Sequence, residues 1–167
     1  KENFAFHCNA YNALCIGKIL DEKPAKSILD LSTKQQTVWD SRAGIIGGEA
    51  VSLNNIEHNK LRLVFAEPRV HACLVCASAS CPDLAPYAFN GKELDEQLAD
   101  RTRTWLANPT KGFASERNGA VARLSRIFLW FEADFDDTLA FARANGAAAD
   151  GAPAVRYFEY DWSLNKS

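Results

Sequence analysis

Nucleophilic and basic side chains are concentrated in one short stretch of the chain, residues 68–84, whose sequence is PRVHACLVCASASCPDL. This stretch holds His71, Cys73, Cys76 and Cys81, which include three of the five cysteines of the chain and one of its three histidines. A cysteine thiolate becomes an effective nucleophile when a neighbouring base or cation lowers the pKa of the thiol. The residue types in this stretch therefore indicate thiol chemistry.

The apolar run from Val70 to Cys76 predicts a short buried strand. Small residues follow at 77–80, and Cys81-Pro82 predicts a turn because proline biases the residue before it away from helix. Cys76 would then stand at the exposed end of a rigid strand, which is a common position for a nucleophile. Within such a strand His71 and Cys76 would point to opposite faces, so His71 is the second choice as the base.

The remaining patterns predict the elements that must position these residues. Apolar residues at helical spacing predict helices over 4–20, 53–63 and 92–106, and the second of these carries Glu57 and His58 near its start. The Gly47-Gly48 pair predicts a hairpin over 44–52. Further predicted elements are strands over 120–124 and 155–162, a helix capped by Ser125 and a helix over 138–144 capped by Asp136. Together they predict an α+β fold, with several helices packed on a small, mostly antiparallel sheet.

Size and composition narrow the function classes. The 167 residues are enough for one domain with a real core, so a single domain over 1–167 is expected. The chain starts at Lys1 and contains no Met, which suggests a domain trimmed from a longer precursor whose compartment the sequence does not reveal. A net charge of −2 gives no support for nucleic-acid binding. No apolar run approaches the roughly 20 residues that cross a bilayer, so no membrane span is predicted.

Several motifs follow one another in a fixed order along the chain. They are Asn9-Ala-Tyr-Asn-Ala-Leu14, Ser52-Leu-Asn-Asn-Ile-Glu-His58, Pro68-Arg-Val-His71, Cys76-Ala-Ser-Ala-Ser-Cys-Pro82, Asp134-Phe135 and Tyr160-Asp-Trp-Ser-Leu-Asn165. This ordered set resembles the domain-of-unknown-function 547 family over nearly the whole chain. The resemblance singles out Cys76, Cys81, His58, His71 and Glu57 as important residues. The activity of the family is not settled, so the resemblance implies no reaction by itself.

The first hypothesis is a thiol hydrolase or acyl transferase that acts on an amide or a peptide. Cys76 is the predicted nucleophile and His58 the predicted base, with Glu57 and His71 as further catalytic candidates. Asn9 or Asp161 is expected to orient the base. The predicted substrate-binding residues are Ser78 and Ser80 for the oxyanion, together with Cys81, Tyr11 and Trp39. Such a layout is similar, by analogy of fold alone, to papain-like and transglutaminase-like enzymes.

Two alternatives remain open on the sequence. A structural or redox bridge between Cys76 and Cys81 would leave no free nucleophile and would favour a non-catalytic binding or interaction module. A metal site made by His58, His71 and a cysteine is the weakest hypothesis, because the sequence has no His-x-x-x-His pattern. We therefore predict neither a metal nor a cofactor, and the sequence does not indicate the oligomeric state.

Overall fold

The computed structural model describes residues 1–165 and confirms an α+β fold. The α-helices are α1 (Glu2–Glu22), α2 (Leu63–Phe65), α3 (Leu94–Leu106), α4 (Ile127–Trp130) and α5 (Thr138–Ala144). A π-helix, Asn55–Arg62, leads into α2, and short 3-10 helices cover Ile28–Leu31, Pro68–Ala72 and Glu132–Asp134. The strands are β1 (Arg42–Ile46), β2 (Glu49–Ser52), β3 (Phe113–Glu116), β4 (Val121–Leu124) and β5 (Ala154–Tyr157).

The strands form two small sheets, where the sequence predicted one. β1 and β2 make an antiparallel hairpin, and its Gly47 and Gly48 have φ of 61° and 87°, as the predicted glycine turn requires. The second sheet has the order β3-β4-β5, in which β4 pairs antiparallel with β3 and parallel with β5. At the end of the hairpin the Ser52 hydroxyl accepts the Asn55 N–H at 3.0 Å, which confirms Ser52 as a cap of the next helix.

The strand predicted over 70–76 is wrong. Residues 68–72 form a 3-10 helix, and 73–76 follow as irregular backbone. The buried side chain of Asn12 on α1 replaces a neighbouring strand here: its amide donates to the Cys73 carbonyl and its oxygen accepts the Val75 N–H, both at 2.9 Å. These bonds satisfy backbone groups that a sheet would otherwise pair. The argument that placed His71 and Cys76 on opposite faces no longer applies.

The last elements also differ from the prediction. Asp137, and not Asp136, caps α5, because its carboxylate accepts the Ala140 N–H at 2.9 Å. The predicted strand over 155–162 ends at Tyr157. Residues 158–165, which we call the C-terminal segment, continue as irregular backbone with two isolated bridges.

The C-terminal segment is fastened along the loop that follows Cys76. Backbone N–H groups of Ala79 and Ser80 donate to the carbonyls of Ser163 and Asp161, at 2.8 and 3.2 Å, and the Asn165 N–H donates to Ala77 at 2.9 Å. The Ser80 hydroxyl accepts the Asp161 N–H at 2.9 Å. This pairing places the segment next to Cys76 although it is more than 80 residues away in the sequence.

Two hydrophobic clusters make up the core. One joins α1, the hairpin, the π-helix and α3, and the other joins the end of α3, β3, β4, α4 and α5. Within residues 1–165 no helix combines the length and apolar character needed to cross a bilayer.

Candidate functional site

A cavity of about 170 Å³ lies where the two hydrophobic clusters meet. Fourteen residues line it, among them members of both clusters and of the C-terminal segment: Tyr11, Trp39, Asn54, Glu57, His58, His71, Leu74, Cys76, Cys81, Ile127, Trp130, Phe131, Tyr160 and Trp162. Seven of these residues, Tyr11, Trp39, Glu57, His58, His71, Cys76 and Cys81, were selected from the sequence. A concave apolar pocket with a few convergent polar groups is the usual form of a small-molecule site.

Cys76 is surrounded by hydrogen-bonding groups, and two of them, on Cys81 and Tyr160, also line the cavity. The hydroxyls of Ser78 and Tyr160 lie 3.0 and 3.2 Å from its sulfur, and the Cys81 thiol and the Ser78 N–H also bond to it. The Cys81 thiol, followed by the two hydroxyls, outweighs the effect of burial and lowers the pKa of Cys76 from 9.0 to about 6. These groups therefore favour the thiolate form of Cys76.

The other cysteines have the opposite character. All five cysteines are free thiols, so the Cys76–Cys81 bridge is not formed in this structure. Burial raises the pKa of Cys15 to about 12 and raises the pKa of Cys8, Cys73 and Cys81 further. Cys81 keeps its proton and uses its sulfur to accept the Cys76 N–H at 2.9 Å. The two neighbouring thiols thus differ in character: burial favours the protonated form of Cys81, and the groups around Cys76 favour its thiolate.

His71 is paired with a carboxylate. Its Nε2 lies 2.6 Å from Asp134 Oδ2, and its ring stacks on Phe131 with centroids 4.3 Å apart. A carboxylate only accepts hydrogen bonds, so Nε2 carries the proton. Burial lowers the pKa of His71 despite the carboxylate, so the ring is neutral near pH 7 and Nδ1 holds a free electron pair. Within residues 1–165 no hydrogen bond occupies that nitrogen.

Arg62 fixes Asp134 from the other side and also determines the tautomer of His58. Its Nε and Nη2 bind the two carboxylate oxygens of Asp134 at 2.5 and 2.8 Å, and its Nη1 lies 2.5 Å from His58 Nδ1. Guanidinium is only a donor, so His58 Nδ1 accepts and Nε2 carries the proton. Burial and then the Arg62 charge lower the pKa of His58. The nitrogen on which His58 would take up a proton is therefore already occupied.

Glu57 is a half-buried carboxyl on the π-helix, and the Tyr11 hydroxyl donates to it. Burial raises the pKa of Glu57 from 4.5 to about 7. A carboxyl with such a pKa exchanges protons at neutral pH, which suits a general acid or base. The π-helix itself is a rare element that occurs frequently at functional sites, and it carries Glu57, His58 and Arg62.

Replacement of Glu57 by Gln should stabilise the protein at alkaline pH. The folded chain holds the Glu57 proton more tightly than the unfolded chain, so the contribution of Glu57 to stability is fully present below about pH 4.5 and is lost as the pH rises through 7. Glu57→Gln keeps an acceptor for Tyr11, and we expect it to raise the unfolding free energy at pH 8 by about 1–3 kcal/mol. Urea unfolding at pH 4 and pH 8 measures this, with Glu96→Gln on the exposed face of α3 as control. A gain of the same size at both values would contradict it.

The structure does not bring every predicted residue to the cavity. The side-chain amide of Asn9 donates to the Phe89 carbonyl at 2.8 Å and accepts the Phe89 N–H at 2.9 Å. Asp161 is exposed, and its carboxylate accepts the Ser163 N–H. In the described part of the chain no hydrogen bond joins either of them to a histidine, so neither is placed to orient the base. Ser80 holds the C-terminal segment through its N–H and its hydroxyl, which makes it unsuitable for an oxyanion. Ser78 is buried and contacts the Cys76 sulfur.

Sequence reasoning missed two residues of the site, Asp134 and Tyr160. Each stands in a motif that supported the family resemblance, but no local spacing ties them to Cys76 or His71. Asp134 lies 63 residues from its partner His71 in the sequence, and Tyr160 lies 84 residues from Cys76. Within residues 1–165 no group of three or more His, Cys, Asp or Glu side chains is arranged to hold a metal ion.

Comparison with known proteins identifies the family and leaves the activity open. The family described as "Protein of unknown function, DUF547" matches residues 1–106, which include Cys76, His58, His71 and Glu57. No curated protein and no solved structure matches the chain. Asp134 and Tyr160 lie beyond the matched residues, so the site combines the matched part with the part that follows it. Since the match covers more than half of the sequence, the chain belongs to the DUF547 family.

Proposed function

We propose that this protein is a cysteine-dependent hydrolase or acyl transferase that acts on an amide, peptide or ester carbonyl. The observation that supports this most directly is the Cys76 sulfur, which lies among hydrogen-bonding groups at the wall of a cavity that also contains a carboxylate-bound histidine. A nucleophile, a base and a group that orients the base are the three parts of this class of site.

The roles follow from the protonation states. The Cys76 sulfur attacks the carbonyl carbon and forms a thioester, while the bond from that carbon to the leaving nitrogen or oxygen breaks. Glu57, which is protonated in part of the population near pH 7, supplies the proton to the leaving group. His58 presents its Nε2–H as a donor for the developing oxyanion.

His71 acts in the second half of the reaction. Its free Nδ1 takes a proton from a water molecule, and the resulting hydroxide cleaves the thioester and restores the Cys76 thiolate. The Asp134 carboxylate stabilises the imidazolium that forms. Transfer of that proton from His71 to Glu57 returns the site to its starting state. With an amine in place of water the same steps give acyl transfer.

This assignment makes His71 the base and His58 an oxyanion donor, which reverses the order expected from the sequence. A papain-like or transglutaminase-like layout is not supported, because both histidines lie on helices and irregular backbone follows Cys76. A non-catalytic binding module is the alternative, and the free Cys76 and Cys81 thiols give it no support.

The pH dependence of alkylation tests the thiolate. We expect iodoacetamide to label Cys76 with a midpoint near pH 6 and the four buried cysteines slowly, as followed by peptide mass spectrometry. Tyr160→Phe removes one donor and should raise the Cys76 midpoint by about 1 pH unit. Tyr157→Phe makes the same chemical change on β5 away from the sulfur and should leave it unchanged. A Cys76 midpoint near 9 in the wild type would refute the proposed function.

A further inference from the structure

The charged groups around the cavity are predominantly acidic. Glu57 and the Cys76 thiolate line it, and Asp40 stands at its edge, where its carboxylate accepts the Asn54 amide at 2.6 Å. Within residues 1–165 no Lys or Arg side chain lines the cavity. The nearest guanidinium, Arg62, has its charge compensated by the two-point contact with Asp134. A negatively charged ligand would meet repulsion here, and a cation would be attracted.

The remaining wall is aromatic and rich in tryptophan. Trp162 stacks on Trp130 with centroids 5.6 Å apart and lies 6.3 Å from Trp39, and Tyr160 packs against Trp130 and Trp162 at 4.7 and 4.6 Å. Trp130 is 44 % exposed, so this wall is not closed core. Among aromatic side chains tryptophan binds alkylammonium and guanidinium groups best, and the interaction strengthens when water is excluded.

The wall and the nucleophile are connected through one residue. The Tyr160 hydroxyl lies 3.2 Å from the Cys76 sulfur, and its ring is in contact with Trp130 and Trp162. If one part of a substrate binds against the tryptophans, the substrate carbonyl that Cys76 attacks is therefore only a few atoms away from that part.

From these observations we infer that the cavity selects substrates that carry a positively charged alkylammonium group close to the scissile carbonyl. This inference rests on the proposed function for the bond that is cleaved. The binding of the cation itself depends only on the acidic groups and on the tryptophan wall.

The probe is choline, compared with its neutral isostere 3,3-dimethylbutan-1-ol and with the anion 3,3-dimethylbutanoate. Tryptophan fluorescence reports binding, since three of the four tryptophans line the cavity. At pH 8 we expect choline to bind about 3- to 30-fold more tightly than the neutral isostere, and the anion to bind more weakly than both. Equal or tighter binding of the neutral isostere, or no binding of choline, would overturn the inference.

Two variants and one control distinguish an effect of charge from an effect on folding or on catalysis. Glu57→Gln should weaken choline binding several-fold and leave binding of the neutral isostere unchanged, and Glu96→Gln should change neither. Loss of both ligands in Glu57→Gln would indicate a distorted cavity and would count against the charge role. The same titrations in Cys76→Ser should still favour choline over the neutral isostere, so an error in the proposed chemistry remains distinguishable from an error in the ligand class.

Discussion

Cys76→Ser is expected to abolish turnover of an activated acyl ester and to leave the fold intact. In the wild type, p-nitrophenyl acetate should release a burst of p-nitrophenol and leave one acetyl group on Cys76. A serine hydroxyl retains contact with Ser78 and Tyr160 but is not ionised, so the rate should fall by at least about 10³-fold. Stopped-flow absorbance and peptide mass spectrometry measure the burst and the acetylated residue.

The pH profile adds a second requirement to this prediction. Cys76 must be ionised, which favours pH above about 6, and Glu57 must be protonated, which favours pH below about 7. The rate constant for acylation of an amide should therefore peak between these values. Cys8→Ala removes another thiol, buried in the core far from the donors, and should keep both the burst and the profile. Acetylation at a different cysteine in the wild type would contradict the assignment of the nucleophile.

Asp134→Asn should cause the second large effect, through the pairing of His71. Asparagine is neutral and has one acceptor oxygen where the carboxylate has two, so it no longer stabilises the imidazolium, and wherever its NH2 group faces Nε2 the proton of His71 moves to Nδ1, the nitrogen that has to act as the base. Turnover should fall by about 10²- to 10⁴-fold. Alkylation of Cys76 at pH 8 should continue at the wild-type rate, because the donors to its sulfur are elsewhere. Equal losses of turnover and alkylation would contradict a role of Asp134 in the base.

Asp134→Asn should also destabilise the protein, since Arg62 loses its charged partner. The side chain of Asp134 is 22 % exposed, so we expect a loss of about 2–4 kcal/mol. His71 and Arg62 hold the pKa of Asp134 well below its usual range, so its stabilising contribution is present above about pH 4 and is lost as the pH falls. The difference in unfolding free energy between wild type and variant should therefore shrink at acid pH. Asp136→Asn, an exposed neighbour, is the control for both measurements.

Local patterns predicted the helices of this fold better than its central stretch. The spacing of apolar residues correctly predicted α1 and α3, and the Gly47-Gly48 pair correctly predicted the hairpin turn. The run from Val70 to Cys76 was assigned wrongly because a short apolar segment is buried equally well as a strand or as a helical turn. The deciding contact, the Asn12 amide on the backbone of residues 73 and 75, comes from a residue more than 60 positions away.

The site was predictable in its residue types and only partly in its pairings. Cys76, His71, His58 and Glu57 all line the cavity, as their chemistry and motif membership suggested. Which histidine is the free base depends on Arg62 and Asp134, one of which lies on the π-helix and the other in the 3-10 helix before Phe135. Tautomers are determined by such tertiary contacts, and sequence spacing carries no information about them.

The fastening of the C-terminal segment has a consequence for biosynthesis. The ribosome makes Cys76 well before Tyr160, which is 84 residues later, and the hydroxyl of Tyr160 cannot reach the sulfur until the segment has paired with the loop at 77–80. Until then the nascent chain carries Cys76 without this donor, and we expect a thiol with a pKa closer to the ordinary value. The reactivity of the cysteine is therefore fully developed only at the end of folding, when the cavity that confines it is complete.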